Sequence, residues 1–167
     1  MTDSARQIWL WGQSSAIGLA IVIATVAIDQ AHKWWMLGPY DIVNKGRVYV
    51  TPFLDLVFHK NTGISYSMFD GDSQAWQIAL ASFAALVSLG LWIWLSRAGA
   101  NRVMTWSLAL IIGGAIGNAI DRVLIGGVAD FFSVHAFGFY WYVFNIADMA
   151  IVAGVFGLLY DSFRAES

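Results

Sequence analysis

Four long apolar stretches set the strongest limit on how this chain can fold. A helix needs roughly 20 mostly apolar residues to cross a bilayer, and stretches at about 14–37, 73–96, 103–122 and 142–160 meet this requirement. Only 12% of the residues are charged, whereas a soluble domain carries about 25%. The sequence therefore predicts an all-α membrane protein with four transmembrane helices, forming a single integral membrane domain over residues 1–167.

The segment between the first two predicted helices, about 38–72, is more polar and contains both prolines of the chain. Within it, Val48–Val50 and Phe53–Phe58 are rich in residues that favour strands. We predict a small β-rich lobe on the membrane surface between helices 1 and 2. We also expect the first apolar stretch to remain as a permanent anchor, because no small-x-small cleavage site follows it.

Four antiparallel spans place both termini on one side of the membrane. The short loop from Arg97 to Arg102 lies on that side and carries two arginines. The number of basic residues on each side does not settle the orientation. Their density near the span ends favours termini in the cytoplasm.

Unusual polar residues gather where the first and third helices end and the second and fourth begin. Four antiparallel spans bring these ends to one face, whereas the opposite face has only ordinary flanking charges. An ionisable group within a span costs several kcal/mol, so its default interpretation is functional. The residues are Asp29, Lys33, Asn61, Gly63, Asn118, Asp121, Arg122, Asp130, Asn145 and Asp148.

Three of these groups also have a structural interpretation. Asp29 and Lys33 are four residues apart on a helix and could form a plain surface pair. Asp121 and Arg122 could form structural ion pairs with other partners. The run Gly113–Gly117 favours close packing of helices, which is compatible with a site nearby.

Two aspartates are the candidates for catalysis. Asp148 is predicted about two turns inside the fourth helix, with Asn145 on the same face, and Asp130 is predicted in the loop after the third helix. A loop aspartate is often merely solvated, so the case for Asp130 rests on its being the nearest partner for Asp148. Two carboxylates held close share one proton. The ionised one can deprotonate a water while the protonated one donates to a substrate carbonyl, which hydrolyses a peptide without a covalent intermediate.

Other chemistries fit less well. The chain has no cysteine, which excludes a thiol nucleophile, and its net charge of −2 gives no basic face for nucleic acid. Ser65 and Ser67 lie near Lys60, but no motif makes them nucleophiles. We expect no metal or other cofactor, since three scattered histidines form no H-E-x-x-H zinc motif: His32, His59 and His135.

Five ordered motifs carry a resemblance to a known family. They are Asp29-Gln30 with Lys33, Asn61-Thr62-Gly63-Ile64-Ser65-Tyr66-Ser67, Gly113-Gly114-Ala115-Ile116-Gly117-Asn118-Ala119-Ile120-Asp121-Arg122, Val128-Ala129-Asp130-Phe131 and Phe144-Asn145-Ile146-Ala147-Asp148. Over about Ile28–Ile151 the chain resembles lipoprotein signal peptidase (signal peptidase II), an aspartic peptidase family. Any one motif is weak evidence, but five in order are strong. Two departures are small: Ala129 replaces a commoner Val or Ile, and Tyr66 a commoner Phe.

The resemblance implies an enzyme that cleaves bacterial prolipoproteins on the amino side of a lipobox cysteine already modified with diacylglycerol. It implies a site facing the periplasm, termini in the cytoplasm, an inner-membrane location beside membrane lipid, and inhibition by globomycin. We expect a monomer that binds no nucleic acid. The catalytic pair implied is Asp130 and Asp148. The residues implied to support the site or to bind substrate and inhibitor are Asp29, Lys33, Asn61, Gly63, Gly114, Asn118, Asp121, Arg122, Asn145 and Ala147.

Two other functions would also use buried carboxylates or a helical bundle. A small transporter or proton channel could use Asp29, Asp121 and Asp148 as a relay, because intramembrane carboxylates also mark proton paths. Such a path needs polar residues through the whole membrane, yet the inner halves of the second and third predicted helices are apolar. A purely structural assembly protein leaves the paired aspartates unexplained.

Overall fold

The computed structural model describes residues 10–63, 71 and 73–165. In chain order its elements are α1 (Ser15–Leu37), α2 (Ile42–Lys45), β1 (Val48–Thr51), β2 (Leu54–Asn61), α3 (Gln74–Arg97), α4 (Arg102–Ile125), β3 (Val128–Ala136), β4 (Phe139–Phe144) and α5 (Ile146–Ala165).

Among the described residues, the four long helices α1, α3, α4 and α5 are each long and apolar enough to cross a membrane. The prediction of four apolar helices of membrane-spanning length is thereby confirmed. α4 is the central helix, because it packs against each of the other three and has the largest buried share. α3 and α5 instead expose large apolar side chains such as Phe83, Leu86 and Phe156, which suits contact with lipid.

Glycines on α4 allow its neighbours to approach closely. A Cβ atom at Gly113 would lie 2.6 Å from Cβ of Thr25 on α1, and one at Gly117 would lie 2.6 Å from Oδ2 of Asp29. At Gly114 it would collide with the carbonyl oxygen of Ala147 at the start of α5. The glycine-rich run therefore brings α1 and the first turn of α5 against one end of α4.

A four-stranded antiparallel sheet, in the order β1-β2-β3-β4, sits at the end of the helix bundle where α1 and α4 end. The predicted β-rich segment between the first two membrane helices is confirmed as β1 and β2. The sheet is larger than that prediction, because β3 and β4 come from the connection between α4 and α5. Phe131 of β3 packs in one cluster with Met36 at the end of α1 and Ile42 of α2.

Two expectations about the catalytic candidates were wrong in detail. Asp130 lies on strand β3 rather than in a loop, and Asp148 lies in the first turn of α5 rather than two turns inside it. The run Phe139–Phe144 accounts for the different position of Asp148 in its helix. Its aromatic and β-branched residues satisfy their backbone groups by pairing with β3, so the helix begins only at Ile146.

A second group of charged and polar side chains, the Asp55 cluster, links neighbouring strands of the sheet. Asp55 on β2 is fully buried and accepts hydrogen bonds from Arg47 at 2.7 Å and from the ring of His135 on β3 at 3.1 Å. Burial alone would raise the pKa of Asp55, but these two partners outweigh it and the pKa is lowered. These contacts therefore hold β3, and with it Asp130, in a fixed position in the sheet.

The arrangement makes a prediction about membrane topology. The loop between α3 and α4 and the sheet lie at opposite ends of the bundle, and the chain has no cysteine, so single cysteines can be introduced cleanly. Ala100→Cys and Val50→Cys replace exposed residues at the two ends. A membrane-impermeant maleimide applied to spheroplasts should label only one of them. Equal labelling of both before lysis would contradict four membrane spans.

Candidate active site

The structure brings the two candidate aspartates to one cavity of about 220 Å³ at the sheet end of the bundle. Asp130 and Asp148 line it together with three further polar residues, Asn61, Asn118 and Arg122. Its apolar wall consists of Ala84, Ala115, Val128, Tyr142 and Ile151. A peptide bond placed here would meet two carboxylates in a cavity whose lining is partly polar and partly apolar.

Asp148 is held by a reciprocal cap at the start of α5. The side-chain oxygen of Asn145 accepts from the backbone N–H of Asp148 at 2.9 Å, and the carboxylate of Asp148 accepts from the backbone N–H of Asn145 at 3.1 Å. This is the geometry of a capping box, built here from Asn and Asp. The same contacts that begin the helix therefore fix one carboxylate at the cavity.

Asp130 is held by strand β3 and by two amides. Its side chain accepts from Asn145 at 2.6 Å and from Asn61 at 3.4 Å, and only 1% of the residue is exposed. Burial, followed by the negative charge of Asp148, raises the pKa of Asp130 from 3.8 to about 7, although these amides and Lys33 oppose the shift. A carboxyl group with this pKa can hold a proton near neutral pH.

Asn118 and Asn145 connect the two carboxylates. Asn145 donates to Asp130 and also, at 3.1 Å, to the side-chain oxygen of Asn118. Asn118 in turn donates to Asp148 at 2.9 Å. The two acids therefore belong to one hydrogen-bonded network.

Beneath this network lies a buried ion cluster formed by Asp29, Lys33 and Asp121. The ammonium group of Lys33 is 2.8 Å from a carboxylate oxygen of each aspartate, and all three side chains are at most 6% exposed. Lys33 also donates to Asn118 at 3.1 Å. Asp29 and Lys33 are thus not a surface pair, and Asp121 pairs with Lys33 rather than with its neighbour in sequence.

The two carboxylates of the buried ion cluster hold the backbone immediately before each candidate acid. Asp121 accepts from the N–H of Ala129, the residue before Asp130, at 3.0 Å. Asp29 accepts from the N–H of Ala147, the residue before Asp148, also at 3.0 Å. One lysine therefore joins the supports of both cavity carboxylates.

Arg122 lies on the cavity side of α4. Its guanidinium group donates to the carbonyl oxygens of Gly63 at 3.0 Å and of Asn118 at 3.4 Å. The N–H of Gly63 donates to the side chain of Asn61 at 3.1 Å. These contacts attach the residues that follow β2 to the wall of the cavity.

Sequence reasoning missed Gln30 as a site residue. Its side-chain amide donates to Asp29 at 3.2 Å, to Asp121 at 3.0 Å and to the carbonyl oxygen of Gly117 at 3.1 Å. Its presence beside Asp29 in the first motif was the available signal. Ala115 could also have been found, because it shares a helical face with Asn118 and Arg122 at spacings of three and seven residues.

Other residues considered from the sequence do not join this group. His32 stacks on Phe132 with ring centroids 5.2 Å apart, and His135 belongs to the Asp55 cluster in the sheet. Ser65, Tyr66 and Ser67 lie outside the described residues.

The bundle interior bears on the transporter alternative. Among the described residues, Val22, Leu95, Leu108 and Ile112 form an apolar cluster inside the bundle. The buried polar residues around it, such as Thr25 and Ser107, are uncharged. The carboxylates that a proton relay would need all lie at the sheet end. The described part of the chain therefore forms no charged path through the bundle.

The fold and the cavity define a multi-pass membrane protein with two aspartates sharing one site at the end of its helix bundle. A family model described as signal peptidase (SPase) II matches residues 21–164. The chain therefore belongs to the signal peptidase II family and is a peptidase.

Individual relatives agree with this assignment. A lipoprotein signal peptidase of Rhodopseudomonas palustris is 49% identical over 150 residues, covering 87% of this chain and 91% of the relative. One from Nitrobacter hamburgensis is 51% identical with the same coverage. A solved structure described as a bacterial membrane enzyme is 27% identical, with a TM-score of 0.75 over 91% of this chain and 90% of that one.

The buried ion cluster predicts an asymmetry between lysines. Lys33→Met leaves two buried carboxylates without their cation, and breaking a buried pair in this way costs about 3–5 kcal/mol. We expect a large fall in folded yield and in the unfolding temperature measured in detergent. Lys45→Met, at an exposed position, is the matched control and should change neither by much. Equal behaviour of the two variants would show that the cluster does not support the fold.

Proposed function

We propose that the chain removes the signal peptide from diacylglyceryl-modified prolipoproteins, as an aspartic endopeptidase in which Asp130 and Asp148 form the catalytic pair. The observation that carries the proposal is the hydrogen-bonded cavity in which both carboxylates meet. The family, and relatives that are lipoprotein signal peptidases, support the substrate class. The bond cleaved is the one on the amino side of the lipidated cysteine.

In the proposed reaction, one acid of the pair is the general base and the other is the general acid. The ionised carboxylate takes a proton from a water, whose oxygen attacks the scissile carbonyl carbon. The protonated carboxyl group donates its proton to the carbonyl oxygen, which becomes a hydroxyl of the tetrahedral intermediate. As the C–N bond breaks, the carboxyl group that took the proton of water gives it to the leaving nitrogen. The hydroxyl of the intermediate returns its proton to the other carboxylate as the carbonyl re-forms, so water is divided between the two products.

The surroundings support this division. The pair retains one proton because the charge of one carboxylate and the apolar wall oppose ionisation of the other. Asn118 and Asn145 link the two acids, since Asn118 accepts from Lys33 of the buried ion cluster and Asn145 donates to Asn118. We further propose an inner-membrane location with the cavity toward the periplasm and the termini in the cytoplasm, where substrate and globomycin-type inhibitors would reach the cavity.

The catalytic pair can be tested with single and double variants. Asp130→Asn and Asp148→Asn should each insert and fold, yet cleave a purified diacylglyceryl prolipoprotein at least about 10²–10⁴-fold more slowly, because each loses a general acid or base. The double variant should be little worse than either one, since the residues act as a unit. Asp161→Asn, at the other end of the bundle, is the control for the change of charge.

Two results would contradict the aspartic mechanism. One is substantial cleavage by a folded Asp130→Asn or Asp148→Asn protein. The other is loss of wild-type cleavage on addition of a chelator, because the proposed steps use only carboxylates and water.

The raised pKa of Asp130 predicts a pH dependence of both activity and stability. Activity should fall as the pH rises through about 7, because the pair then loses its shared proton, and again in acid, where both acids are protonated. A carboxyl group with a raised folded pKa contributes stability at low pH that is lost as the pH rises through that value. Asp130→Asn should therefore unfold at a higher temperature than the wild type at pH 8, with a smaller difference at pH 5.

The stability measurement has its own control. Asp161→Asn should not raise the unfolding temperature more at pH 8 than at pH 5. If Asp130→Asn is less stable than the wild type by the same amount at both pH values, the carboxyl group is a structural hydrogen-bond partner rather than a proton carrier.

A further inference from the structure

A second cavity adjoins the catalytic one. It measures about 300 Å³ and lies between strand β4 and the start of α5. Asp148 reaches its edge. The other lining residues are apolar or aromatic: Val134, Trp141, Tyr142, Phe144, Met149 and Val152.

The two cavities meet at shared residues. Asp148 and Tyr142 line both of them. The catalytic cavity is partly polar, with two asparagines and an arginine besides the acids, and suits a peptide backbone. The second cavity offers almost no hydrogen-bonding group and suits a hydrocarbon chain.

The chemistry of the proposed substrate places a lipid at this junction. The scissile bond contains the nitrogen of the modified cysteine, and the lipid is attached to the sulfur of that same residue. Only a few covalent bonds separate the attacked carbonyl carbon from the glycerol. An acyl chain must therefore leave the catalytic cavity close to the two carboxylates, where the second cavity begins.

We propose that this apolar cavity binds the first part of an acyl chain of the diacylglyceryl-cysteine; this inference rests on the proposed function. Bilayer hydrocarbon is as apolar as the cavity wall, so moving a chain between them gives little hydrophobic gain. The cavity acts instead by orientation. It holds the lipid in one place and so positions the scissile carbonyl next to Asp148. Such positioning raises the rate of the chemical step.

The test fills the cavity from α5. Val152 lines it, whereas Val155, one turn further along the helix, lines neither cavity, and the two are 47% and 44% exposed. Val152→Trp and Val155→Trp are therefore a matched pair with the same change of volume. Each is assayed for kcat/KM on two prolipoproteins with identical peptides, one bearing palmitoyl and one butyryl chains.

The expected result is specific to chain length. The wild type and Val155→Trp should prefer the palmitoyl substrate, and Val152→Trp should lose about tenfold or more on that substrate while retaining wild-type activity on the butyryl one. If Val152→Trp does not fold, Met149→Trp blocks the same cavity and carries the same expectation. Retention of the lipid preference by the folded cavity-filling variant would overturn the proposal.

The remaining outcomes separate this inference from the proposed function. An equal loss on both substrates would overturn it, because it would assign the cavity to a side chain of the peptide. A wild type that cleaves both substrates equally well would also overturn it while leaving the peptidase activity intact. A wild type that cleaves neither substrate would reject the proposed function itself.

Discussion

A lysine held between two aspartates inside a membrane protein is the interaction on which the site depends. Each of these charges alone would be costly to remove from water, and together they are tolerable because the ammonium contacts both carboxylates at 2.8 Å. The two carboxylates then have oxygens left to accept backbone N–H groups. These oxygens accept from the N–H groups of Ala129 and Ala147. The next residues, Asp130 and Asp148, are thereby held at the cavity.

This arrangement joins parts of the chain that are far apart in sequence. Asp29 and Lys33 come from α1, Asp121 from the end of α4, and the amides they support from β3 and α5. The glycines of α4 are necessary for it, because any side chain at Gly117 would occupy the space of Asp29. Close helix packing and the polar network are therefore one structural device rather than two.

Several features were predictable because they depend on short stretches of sequence. Four apolar runs predicted four membrane helices, and polar residues at alternate helix ends predicted one polar face. The start of α5 was also predictable in principle, since Asn145 followed three residues later by Asp148 is a capping pattern. It was placed too early, at about Tyr142, because Tyr142, Val143 and Phe144 continue the apolar stretch, and hydrophobicity alone does not distinguish a strand from a helix.

By itself, the sequence determined that the chain folds in a lipid bilayer, how many times it spans it and which acids lie at the same end of the bundle. These properties follow from the hydrophobicity and length of the apolar stretches and from the alternating direction of successive spans. Only the tertiary structure decided which acid pairs with which partner. Asp121 and Arg122 are neighbours in sequence, yet one faces Lys33 and the other faces the cavity. Such partners are selected by where the helices and strands pack, and a single sequence carries no local pattern for contacts between residues about 90 positions apart.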